Sequence, residues 1–156
     1  MIVSVLLAFS AQSASTRLPP ARALPPPTAN EQEVLAPIDG VLGALRVGDA
    51  AAMMRFVYAA GRVTATGTRS TSSGLRQQSW TEFAARVTPA MAFDETINDP
   101  AIEVDGDVAM VWAPYVVRVG GKIANCGIDH FDLVREAGAW KVMNLTFSSR
   151  TVGCPQ

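Results

Sequence analysis

Three glycine-bearing dipeptides, Asp105-Gly106, Gly120-Gly121 and Ala137-Gly138, cut the second half of the chain into segments whose apolar residues recur at every second position. Each dipeptide suits a two-residue hairpin turn, and a period of two is the period of a strand. Such turns join antiparallel neighbours only. The stretch from Ala101 to Val152 is therefore expected to form a meander of one short strand and three long ones. The first half has another period. Val34, Ile38, Val41, Leu42 and Leu45 fall on one face of a helix, with Asn30 placed to cap its start, Gly48 its stop, and Pro37 a site for a kink. Asp49 opens a shorter helix from Ala50 to about Phe56, and Ser79 with Glu82 has capping-box spacing for a third helix starting at Trp80. "GRVTATGTRS" and "GLRQQS" read as short strands between them. Helices first and strands last define the class α+β, with an antiparallel sheet packed on one face by helices.

At 156 residues the chain can bury one core, and a formal net charge of -1 does not suit a nucleic-acid surface. No apolar run reaches the roughly 18 residues of a membrane span. Residues 1–15, "MIVSVLLAFSAQSAS", hold a short apolar run followed by small residues, as in a signal peptide that lacks its positive start. The expected location is therefore exported, in the periplasm. Residues 16–30 are proline-rich and read as a tether, which leaves 31–156 as the domain. Cys126 and Cys154 are the two cysteines. Export permits a disulfide. Ideal strand pairing would hold the two apart unless Gly153 turns the tail or a bulge shortens the offset. No metal-ligand spacing, phosphate loop or nucleophile elbow is present, so no metal or other cofactor is implied.

The hairpin turns also set a register. Val119 opposite Lys122 places Trp112 opposite Asp129, and Glu136 opposite Ala139 places Phe131 opposite Asn144 and Asp129 opposite Thr146. Met110, Trp112, Asp129, Phe131, Leu133, Trp140, Val142, Asn144 and Thr146 then share the face toward the helices. Val111, Tyr115, Val117, Ile128, His130, Met143, Leu145 and Phe147 share the other. A bulge would exchange the faces locally. On this register Asp129 is a carboxyl group on an apolar face, where burial disfavours its charged form. The outer face is apolar enough to expect a homodimer through the sheet, with His130 and Tyr115 at the interface.

The segments "LGALRVGDAAAMMRF", "VDGDVAMVWAPYVV" and "CGIDHFDLVREAGAWKVMNLTFSSR" together resemble the nuclear transport factor 2-like superfamily, which includes the SnoaL-like polyketide cyclases and the ketosteroid isomerases. The resemblance is nearest to an exported bacterial branch often labelled "putative lumazine-binding". It implies a cystatin-like roll: a cone-shaped, strongly bent antiparallel sheet wrapped around three N-terminal helices, with a pocket between. In the isomerases and cyclases, acids and tyrosines in that pocket move protons next to a carbonyl. Carried over here, Asp129 would be the base, and Tyr58 at the end of the second helix, or Asn144, would polarise an oxyanion. Phe56, Trp80, Phe83, Trp112, Phe131 and Thr146 would line a site for a small apolar or aromatic ligand. Three functions compete: a ligand-binding module, a proton-transfer enzyme, and a structural domain whose pocket is a filled core. An open cavity touching Asp129 would favour the first two.

Overall fold

The computed structural model describes residues 26–69 and 72–155; residues 1–25, where the signal peptide and most of the tether are expected, lie outside the described residues. Helix α1 spans Ala29–Val47. Its cap is Thr28, whose side chain accepts from Glu31 N while Glu31 Oε2 accepts from Thr28 N, so the helix starts just before the expected Asn30. It continues through Pro37, whose buried ring joins the core face beside Val34, Ile38, Val41, Leu42 and Leu45. Gly48 ends it at φ 70°, a left-handed position that favours glycine. Asp49 caps α2, Ala50–Met54, through Ala52 N.

Eight strands form one sheet: β1 Val57–Arg69, β2 Ser72–Ser73, β3 Arg76–Ser79, β4 Asp94–Ile97, β5 Ala101–Asp105, β6 Val108–Val119, β7 Lys122–Glu136 and β8 Ala139–Ser149. Helix α3, Trp80–Ala84, follows β3 and has the Ser79–Glu82 capping box. The path across the sheet is β2-β1-β8-β7-β6-β4, with β3 on β1 and β5 on β6. All neighbours are antiparallel except β1 and β8. The turns at Gly120-Gly121 and Ala137-Gly138 stand where the dipeptides placed them, whereas the first is Gly106-Asp107, one residue beyond the expected Asp105-Gly106, because Asp105 itself pairs with Val108. Pro114 falls in the gap between β5, which ends its pairing at Trp112, and β4, which begins at Tyr115. A residue without an N–H fits such a gap.

Two bulges change the expected register. Arg118 faces Ile123 but Val117 faces Asn125, so Ala124 is an extra residue in β7. Leu133 faces Val142 but Asp132 faces Asn144, so Met143 is an extra residue in β8. Beyond each bulge the side chains change sides. Asp129 therefore lies opposite Ala113 and Phe147, not Trp112 and Thr146. Val111, Tyr115, Val117 and Leu145 are buried on the helix side, contrary to the expected outward placement. Trp112 and Thr146 are exposed on the opposite face, and Asn144 is half-buried there. The core joins α1 and α2 to Val63, Val111, Phe131, Leu133, Val142 and Leu145 of the sheet and to Trp80 of α3.

Candidate functional site

Between α1, α3 and the inner face of the sheet lies a cavity of about 720 Å³. Val41, Leu42 and Leu45 project into it from α1, and Trp80 and Phe83 from α3. Phe93, Tyr115, Val117 and Phe147 complete most of its apolar wall. Trp80 is fixed by its indole N–H, which donates to Met143 O at 2.9 Å, and Phe83 meets its ring edge-on at 5.9 Å. The Tyr115 hydroxyl donates to Ser148 O at 2.9 Å, so its phenol is held against the sheet. Aromatic walls of this kind, with few polar groups, are usual for small-molecule sites.

Asp129 lines this cavity at 1% exposure. Its partner is Glu95 on β4, also buried and also lining the cavity. The two carboxyls are hydrogen-bonded to each other, which requires a proton between them. Burial raises Asp129 well above its ordinary value, helped by the charge of Glu95 and by the hydrogen bond it makes to that residue. Burial also pushes Glu95 up to about 7, against the lowering effect of the Asp129 hydrogen bond. Asp129 Oδ2 has no hydrogen-bond partner among the described protein groups. A buried polar atom left in that state costs about 1–3 kcal/mol.

The other expected site residues are spread more widely. Trp80 and Phe83 line the cavity with Asp129. Phe131 is wholly buried core on the same face, and Phe56 packs over Gly40 of α1. Tyr58 belongs to β1, not to α2, and lines a separate open groove with Arg55, Glu136 and Lys141. The cause is local: between Val57 and Arg62 the β1–β8 register breaks, and Tyr58 lies in the break. Asn144 is turned away from Asp129. Its amide donates to Asp132 Oδ2 at 3.2 Å and its oxygen accepts from Arg62 N at 3.0 Å, a structural pairing between strands. Trp112 stands on the outer face with its ring 5.8 Å from that of His130. Cys126 and Cys154 form a disulfide across 5.6 Å between Cα atoms, and Cys126 also pairs with Arg150 through the backbone. Glu95 was not among the expected residues. Its signal was the alternation Phe93, Glu95, Ile97, which puts it on one face with apolar neighbours.

A bent sheet closed by helices over an aromatic cavity defines a nuclear transport factor 2-like domain with a cystatin-like fold. The chain belongs to the family described as "putative lumazine-binding", which matches residues 29–148. Solved structures of similar fold include a cystatin-like protein of unknown function from Nostoc punctiforme, with 14% identity over 80% of this chain and 95% of that one and a TM-score of 0.63. A nuclear transport factor 2-like protein from Novosphingobium aromaticivorans shares 16% identity over 80% and 83%, at 0.61. A protein from Xanthomonas campestris, titled a "putative calcium/calmodulin dependent protein kinase II association domain", shares 18% over 84% and 94%, at 0.63. These likenesses concern the fold. No curated protein matches the chain.

Proposed function

We propose that this domain binds a small, mainly apolar or aromatic molecule in the cavity beside Asp129. The observation that carries this reading is Asp129 Oδ2, buried, unpartnered and at a cavity wall. Oδ2 accepts no hydrogen bond from a described protein group, so a ligand N–H or O–H would satisfy it. The family description, which names a small ligand, agrees with this. A cavity at Asp129 also disfavours a purely structural role with a filled core. Native mass spectrometry of the protein purified from its own source tests the reading, with a retained small mass expected. A bare protein that also fails to bind neutral aromatic probes such as N-phenylnaphthylamine at about 1 mM, the weak end of useful affinity, would end it.

Proton transfer next to a carbonyl is the second reading, and the raised value of Glu95 favours it. A general base works best when its pKa lies near the operating pH. Glu95, at about 7, suits that role, with Asp129 hydrogen-bonded beside it. In either reading the domain works after export to the periplasm, which the apolar leader and the Cys126–Cys154 disulfide support. It also dimerises through the outer sheet face. There Val108, Met110 and Trp112 are 60%, 37% and 51% exposed in one stripe of β6. His130 lies beside them, whereas Tyr115 is inside. Sedimentation at tens of micromolar, roughly where weak dimers with standard-sized interfaces form, should show a dimer that Trp112→Asp abolishes; a monomer throughout would refute it.

A further inference from the structure

We infer that the ligand carries an anionic group at the end remote from Asp129, held by Arg76 and Arg86; this rests on the binding reading above. Arg76 and Gln78 alternate on β3, so both side chains lie on the inner face, and both line the cavity. Arg86, just after α3, lines it too, and its guanidinium donates to the Gln78 amide oxygen. One row of paired residues runs Arg76, Ala65, Phe147, Asp129 across the inner face. Three strand spacings, roughly 14 Å of sheet, therefore separate the backbones of Arg76 and Asp129. The arginine side chain reaches back over part of that span.

The two ends of the row differ in chemistry: a buried acid pair that shares a proton at one, and two guanidinium groups lining the cavity at the other. Glu82 is the acid whose field reaches Arg86 and Arg62, and its carboxylate accepts from Ser79 N and Oγ at 2.7 and 2.9 Å. Between the ends lie Ala65 and Phe147, which offer no polar partner. A molecule fitting this layout has a donor at one end, an apolar or aromatic middle, and a carboxylate or similar anion at the other. Arginine's planar fork suits such an anion.

A matched probe pair tests it: a hydroxynaphthoate with hydroxyl and carboxylate at opposite ends of the rings, and its neutral carboxamide, titrated by fluorescence against the full chain. The carboxylate should bind about five to ten times more tightly than the amide at low salt, and the gap should narrow as salt screens it. Replacing both Arg76→Gln and Arg86→Gln should bring the two affinities together and leave the amide unchanged. Both positions are exposed, so the variant should fold, and equal melting temperatures check that. Arg150→Gln, an exposed charge outside the cavity lining, should preserve the gap. Equal affinities in the wild type, a gap that survives the double change, or an equal loss in Arg150→Gln would overturn the inference while binding of the amide keeps the binding reading intact. Failure of both probes to bind overturns the binding reading and this inference with it.

Discussion

Replacing Glu95 by Gln should remove part of the fall in stability that the wild type shows as pH rises toward about 7, while Asp129, itself raised by burial, keeps its own share of that fall in both proteins. Glu95 is lifted from an ordinary 4.5 to about 7, chiefly by burial. The folded state therefore holds a proton that the unfolded chain has released throughout that interval. Stability follows the difference in bound protons, so where the folded state holds more, it falls as pH rises. The contribution is fully present below 4.5 and is lost by about 7. Two and a half pH units at about 1.4 kcal/mol each amount to about 3 kcal/mol. For a domain of this size that is roughly 10 °C in melting temperature. Gln keeps the length and the accepting oxygen for Asp129 but has no proton to release. Thermal unfolding followed by circular dichroism at pH 5 and pH 8 reads the effect. The wild type should lose most of this increment between the two, on top of the loss from Asp129 that both proteins share, so its profile should fall more steeply than that of Glu95→Gln. Parallel pH profiles for the two proteins would show that Glu95 is not the lifted acid.

The remaining expectations concern the cavity, the tail and one close contact. Asp129→Leu should weaken the hydroxynaphthoate about tenfold, the worth of one lost hydrogen bond, and leave naphthoate without the hydroxyl unchanged; an equal loss for both probes would remove Oδ2 from the site. Thiol titration of the unfolded, unreduced chain should find neither Cys126 nor Cys154 free. Reduction should then cost up to about 3–4 kcal/mol in chemical denaturation, as expected for a bond joining residues 28 apart, and an unchanged midpoint would contradict this. Gly127→Ala should destabilise by about 3 kcal/mol, because its Cβ would stand 1.9 Å from Ser148 O, a backbone atom of the neighbouring strand; a denaturation midpoint within error of the wild type would show that the strands can part there.

The class of fold was legible because its signals are local. The capping pairs at Asp49 and Ser79–Glu82 and the three glycine turns each act within a few residues, and each stands where the sequence put it or, for the first turn, one residue further on. The faces of the long strands were less so. Both parities of β6 are apolar, Val111 and Tyr115 on one and Met110 and Trp112 on the other, so alternation did not say which set goes inside. Ala124 and Met143 carry no mark of a bulge; the register that contains them places Val111 and Leu145 in the core that α1 shares. Asp129 kept its face because two errors, one on each neighbouring strand, moved its partners and not itself. Glu95 was obscure for a different reason. β4 reaches β6 after a turn through Asn98, Asp99 and Pro100 that fixes no hairpin register, so nothing in the sequence linked Glu95 to Asp129.

The position of β8 has a bearing on how the molecule comes into being. This strand lies between β1 and β7, and it is made after both. Arg62 N reaches Asn144 Oδ1 across 82 residues of chain, and among the described residues β1 joins the body of the sheet through β8. During synthesis the helices and the β1–β3 ladder therefore wait with their apolar faces uncovered while the β6–β7 hairpin forms without them. Contacts so distant in sequence favour slow, late assembly. A chain shortened before Ala139 would keep every helix and lose the strand that unites the two halves of the sheet.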